Sequence, residues 1–265
     1  MIILKWKMTC RNIIRRSRRL SFSTYYKLIK REILTNMKMV DEKKKKILLD
    51  SMEDMYELKV FKEVRLFYEL SKKYSQNIRP KIGSELKSKG LEFKVSNLVT
   101  PNISENSYYY VSLLEILLNI HENYRLLFEI RTLVLFPPDF NSYIEIDENK
   151  FIQLQYSNHA LILNSIFDRL LALVNRTLRL GILDREVRVN FLNNNYWVRK
   201  YEINKIIGQV NSDIYKIHKE SISYRHKGEI GVLDDFLEEN KKINKIDIFK
   251  KLQKNEKLMF DPIIK

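Results

Sequence analysis

Three side chains near the end of one helical stretch carry the composition of a proton-transfer site. His218, Ser221 and Arg225 stand at i, i+3 and i+7, so a helix places them on one face. His226 and Lys227 follow at once. An imidazole titrating near neutrality can move the proton of a ribose 2′-hydroxyl, and a guanidinium can stabilise charge on a phosphate. That is the equipment of a metal-free ribonuclease. A plainer reading stands beside it: basic residues gather in last helical turns because they complement the dipole and the free carbonyls there.

A second cluster is Glu115, Glu122 and Glu129, seven apart on one helix face. Paired carboxylates can bind a metal or serve as acid and base. No histidine accompanies them at helical spacing. The reading preferred is a solvated stripe neutralised in part by Arg125 and Arg131.

Other chemistries lack their residues. Six glycines form neither GxGxxG nor GxxxxGK[ST], and no HExxH, Glu-x-x-His or GxSxG occurs. The single cysteine, Cys10, can form no disulfide within the chain and no CxxC zinc site. No cofactor and no metal are expected. From Tyr108 to Phe136 the most apolar stretch is interrupted by Glu115, Glu122, Arg125, Glu129 and Arg131, so a buried helix is expected there and no membrane span. A cytoplasmic location is the corresponding expectation.

These residues must be positioned by a chain of 265 residues, 45% hydrophobic and 31% charged, which is the composition of a globular protein. Six Gly and five Pro are too few for the many turns of a β-sandwich or barrel. An all-α helical bundle of about seven helices is predicted, with one small β-hairpin near 142–155.

An amphipathic helix is predicted from Ser23 to Met37. One long helix or two linked ones should cover Asp41 to about Ile78, ending before Arg79-Pro80. A connector over 80–104 follows, with Ile82 to Lys89 a short helix. Ser104 to Ser107 should open the central core helix, which runs to about Phe136, where Pro137-Pro138 stops it. The alternating segments Ser142–Ile146 and Phe151–Gln155 suggest the hairpin. A periodic helix from Tyr156 or Asn158 to Leu180 comes next, with Gly181 as its left-handed cap, then a shorter piece from Asp184 to Leu192. Glu202 to about Arg225 is a helix, broken by Gly228 and Gly231. Val232 to Glu239 and Ile246 to Leu252 are expected as short terminal helices.

Charge is unevenly spread. Lys and Arg number 48 and Asp and Glu 33, a net +15. Residues 1–40 hold eleven cations and one acid, Glu32, so +10 of that total lies there. Arg11, Arg15, Arg16, Arg18 and Arg19 are its densest run. As a nucleic-acid arm it would neutralise phosphates and release counterions. An Arg-rich, acid-poor organelle presequence has the same composition. Upstream translated sequence is a third reading, with Met37 or Met39 as the start. A solvated tail is the fourth. Trp6, Phe22, Tyr25 and Tyr26 interleave the cations, which suits stacking on bases or docking on the core. Two parts follow: a basic arm with a first amphipathic helix over 1–40, and one helical domain over 41–265.

The run Ile166-Phe-Asp-Arg-Leu-Leu-Ala-Leu-Val-Asn-Arg-Thr-Leu-Arg-Leu-Gly181, followed by Tyr201 to Glu229 with Tyr224-Arg-His-Lys-Gly-Glu229 at its end, resembles the HEPN superfamily. The positions that carry the resemblance are Phe167, Asp168, Asn175 and Arg225-His226, within about 156–232. The resemblance implies a helical bundle with a core over about 104–232. It also implies a homodimer with a composite Arg–polar–x(3–5)–His site. Engagement of RNA, in microbial defence or a toxin–antitoxin pair with an antitoxin or defence-system partner, follows from it too. Arg225 would be the motif arginine and His226 its polar neighbour. The histidine due at Ile230, Gly231 or Val232 is missing, which implies a catalytically degenerate member. An endoribonuclease with a displaced histidine, His226 or His218, is one alternative. A helical scaffold without nucleic-acid contact is the other.

Overall fold

The structure is a computed structural model and describes residues 42–44, 46–47, 50, 59–94, 98, 102–137, 148–229 and 244–264. The predicted helices at 23–37 and 232–239 lie outside the described residues. So does the first half of the predicted hairpin, Ser142–Ile146.

The described chain is all-α. Among the described residues, 42–44, 46–47 and 50 are helical, and after them come α1 (Lys59–Ser88), α2 (Glu105–Leu135), α3 (Glu148–Thr177), α4 (Val189–Asn194), α5 (Tyr196–Lys200), α6 (Ile203–Glu229) and α7 (Lys245–Ile264). A single 3-10 turn, Asp184–Glu186, precedes α4. No helix among the described residues is long and apolar enough to cross a membrane.

Helix α2 is the central element, as its nearly all-round apolar pattern predicts. It packs on α1, α3 and α7. Ser104 caps it, its hydroxyl accepting from Ser107 N–H at 3.3 Å. Phe136 ends it, ahead of Pro137. Ile116, Ile120, Leu127 and Phe128 of α2 meet Leu163, Ile166, Phe167 and Leu171 of α3. Ile207, Val210, Ile214 and Ile217 of α6 and Phe249, Met259 and Phe260 of α7 complete this core.

Several boundaries depart from the sequence reading, among them the piece predicted from Asp184 to Leu192, which is split into the 3-10 turn Asp184–Glu186 and helix α4 (Val189–Asn194). Helix α1 does not end before Arg79-Pro80 but runs through Pro80 to Ser88. Pro80 removes one backbone donor, which costs a helix interior about 3 kcal/mol. Packing beyond it offsets that cost. Ile82 and Leu86 bury with Ile103, against Ile78, Leu91 and Tyr108. Glu85 also reaches the start of α2, accepting from Ser104 N–H at 2.7 Å and from the Ser104 and Ser107 hydroxyls at 2.9 Å each. Those bonds hold its carboxyl below the usual carboxylate range.

The second half of the predicted hairpin, Phe151–Gln155, is helical and belongs to the first turns of α3. Ile152, Gln155, Tyr156 and His159 are the inward residues, while Leu154 is half exposed. A buried glutamine and an outward leucine gave the segment a false two-residue alternation.

The cap of α3 is Arg179 and not Gly181. Leu180 N–H donates to Asn175 O and Arg179 N–H to Arg176 O, with Arg179 left-handed at φ 50°. This pair of bonds is the Schellman closure. Gly181 is left-handed as well, at φ 73°, in the loop that follows.

Helix α7 is far longer than the predicted Ile246–Leu252, and α6 continues through Gly228 to Glu229. The inward face of α7 holds Asn255 and Glu256 between Leu252 and Met259. Those polar positions interrupt its apolar stripe in the sequence.

Candidate functional site

Helix α6 turns one face inward through Ile207, Val210, Ile214, Ile217 and Ser221. Ser221 thus extends the apolar face and is buried. His218, beside it, is half-buried, and its Nδ1 is enclosed without a hydrogen-bond partner. Arg225 and His226 belong to the last turns of α6, and their side chains lie outside the described part of the structure. Arg11, Arg15, Arg16, Arg18 and Arg19 lie outside the described residues too.

The same end of α6 is tied down by Glu220. Its Oε2 accepts from the Tyr156 hydroxyl at 3.2 Å and pairs with Lys251 Nζ at 2.9 Å. The bond from Lys251 holds the Glu220 carboxyl below its ordinary range. Lys251 also lies 5.4 Å from the Tyr156 ring centroid. These contacts join α3, α6 and α7 around the foot of the predicted site.

The positions that carry the family resemblance are placed as follows. Phe167 is core and Asp168 is exposed. Asn175 is buried and clamps the loop after α3. Its Nδ2 donates to Ile182 O at 2.7 Å, and its Oδ1 accepts from Ile182 N–H at 3.3 Å. One amide side chain thereby satisfies both backbone groups of Ile182, as a neighbouring strand would.

Among the three spaced glutamates, Glu122 and Glu129 both pair with Arg125, the second at 2.9 Å, whereas Glu115 is exposed. Arg131 turns away from them, into the core. There Glu256 Oε1 lies 3.1 Å from Arg131 Nε and 3.0 Å from His159 Nε2. All three are buried, Arg131 at 1% and His159 at 0% exposure. Arg131 also lies over the rings of Phe128 and Phe249. Among the described residues no group of three His, Cys, Asp or Glu could hold a metal ion.

Sequence reading passed over one surface. Helices α4 and α5 meet at Asn195, whose Oδ1 accepts from Trp197 N–H at 2.9 Å and caps α5. Leu192 below α4 and Val198 below α5 are fully buried and anchor the pair. Arg199 locks them together, donating from Nε to Asn193 O at 2.7 Å and from Nη2 to Asn194 Oδ1 at 2.8 Å. Tyr196, Trp197 and Tyr201 remain outside, 67%, 46% and 57% exposed. Tyr196 meets Trp197 edge to face at 5.2 Å, and Tyr201 lies nearly parallel to Trp197, 20° between planes and 6.4 Å between centroids. Lys200 Nζ sits 4.8 Å from the Trp197 centroid. The signal was present in Asn193-Asn-Asn-Tyr-Trp-Val-Arg-Lys-Tyr201, where three aromatics flank two adjacent cations and no acid intervenes.

No family model, no curated protein and no solved structure matches the chain.

Proposed function

We propose that this chain is a HEPN-like helical protein that engages RNA, as a homodimer, in microbial defence or a toxin–antitoxin system, without being a competent nuclease. The observation that carries the reading is the placement of +10 of the net +15 in residues 1–40. Such an arm supplies phosphate affinity that needs no sequence readout. The all-α architecture is compatible with the family the sequence resembles. Two features weigh against catalysis: the motif histidine is missing at 230–232, and Ser221 is buried.

The homodimer has a candidate seam on α3. Leu154 and Leu161 are seven residues apart, hence on one helix face, and about half exposed. A protein-only scaffold would use the same seam, and that is the second reading.

Binding of single-stranded RNA by the full chain, compared with a chain lacking residues 1–36, tests the proposal. Affinity that falls steeply with salt, and falls again on deletion, is the expected result. Absent or salt-independent binding contradicts it.

A further inference from the structure

We infer that the α4–α5 surface is a stacking platform for unpaired nucleotides, with Trp197, Tyr201 and Tyr196 taking bases and Arg199 and Lys200 the adjoining phosphates. The inference rests on the reading above that the chain engages RNA, and names where on the folded body the bases are held.

The first ground is exposure without need. Tyr196, Trp197 and Tyr201 add little to the core, since Leu192 and Val198 anchor the two helices. Large rings left in water near one another are a costly surface unless something covers them.

Rigidity is the second. The Asn195 cap and the two bonds from Arg199 fix α5 against α4, so the rings are held in place before any ligand arrives. Trp197 and Tyr201 present near-parallel planes, the geometry in which successive bases stack.

Charge chooses the occupant. Residues 195–201 carry Arg199 and Lys200, both exposed, and no acid, while Arg188 at the start of α4 acts on the Asp168 carboxyl of α3. Nearby Glu202 is paired with Lys205 at 2.6 Å. A second copy of this chain would bring the same cations against these, inside a protein already at +15. A polyanion with flat, apolar bases matches both features.

Unpaired strands fit better than duplex. In a duplex the base faces are already stacked on one another and closed to side-chain rings. Every base has a π-face, so the platform should show little sequence preference.

The test uses the full chain in a Trp6→Phe background, leaving Trp197 as the one indole. The probes are a 12-nucleotide oligouridine, a 12-nucleotide oligoadenine and a 12-base-pair RNA duplex. Quenching of Trp197 fluorescence by both single strands, and little by the duplex, is expected. Joint replacement Trp197→Ala and Tyr201→Ala should weaken single-strand binding about 10- to 100-fold, the range for loss of one or two stacked bases. Lys200→Ala should weaken it less and lower the salt slope. Circular dichroism and melting temperature should hold, because the replaced rings are exposed. Salt-sensitive binding that the double replacement leaves unchanged, with no quenching, overturns the platform while sparing the wider reading. No RNA binding by the intact chain overturns both. A change of the double variant from dimer to monomer, with RNA affinity intact, assigns the surface to a protein partner and overturns the platform.

Discussion

Glu256 of α7 places its Oε1 3.0 Å from Nε2 of His159 on α3, at a site closed to solvent. The same oxygen lies 3.1 Å from Nε of Arg131 on α2. One carboxylate therefore joins three helices in the middle of the bundle. The cluster is a structural junction, buried where the three helices meet. Removing one partner of a buried ion pair costs about 3–5 kcal/mol, because the other charge stays buried and uncompensated. Glu256→Ala should lose stability on that scale in urea unfolding. Adding Arg131→Met should recover part of the loss, so the two effects fall short of their sum. Additive losses would show that the two groups do not communicate.

Asn175 gives a second, independent stability test. Its amide satisfies both backbone groups of Ile182. Asn175→Ala should cost about 2–3 kcal/mol, the scale of leaving buried polar groups unmatched. A loss below 0.5 kcal/mol, on the scale of an ordinary surface substitution, would show that water replaces the clamp. The same variant should bind RNA normally once folded, which separates a structural asparagine from one that touches a ligand.

Gly181 isolates a backbone effect. It is left-handed at φ 73°, and a Cβ there would meet nothing within 4 Å. Gly181→Ala should destabilise by about 1 kcal/mol, from left-handed strain alone. An unchanged melting temperature would mean that the loop relaxes to another conformation.

Acid should weaken the fold in two steps. Burial pushes the His121 imidazole below its ordinary 6.5, assisted by Arg125 and opposed by Glu122. The folded state favours the neutral ring, so its contribution is present above pH 6.5 and is lost as pH falls through the lowered value. Glu85 acts the same way in a lower window. The Ser104 N–H is the main cause of its depressed value, so its contribution holds above pH 4.5 and fades as pH falls further. His121→Gln should flatten the stability profile just below pH 6.5 and leave the lower step. Glu85→Gln should do the reverse. Profiles that match the parent chain would refute both assignments.

The sequence made the helical class legible because apolar residues recur every three to four positions and turn residues are scarce. Helix α2 was legible to within a residue at each end, since Ser104 and Pro137 mark it in local chemistry. The errors share a cause. Gln155, His159, Asn255 and Glu256 are polar yet buried, and a periodic reading treats polar positions as outward. The strand misassigned at 151–155 and the shortened last helix both follow from that. Pro80 failed as a stop because tertiary packing at Ile82, Leu86 and Glu85 outweighs it. The α4–α5 surface was missed for a different reason. Its helices, of 6 and 5 residues, are too short to show a periodicity that would mark Tyr196 and Trp197 as outward.

The proposed engagement of RNA through charge is tested by fluorescence anisotropy of a labelled 20-nucleotide RNA, titrated with the full chain from 50 to 300 mM salt. Log affinity should fall linearly with log salt, with a slope of about −0.7 for each phosphate neutralised on a single strand. Deleting residues 1–36 should lower both affinity and slope. A flat salt dependence, or a slope unchanged by the deletion, would contradict the account.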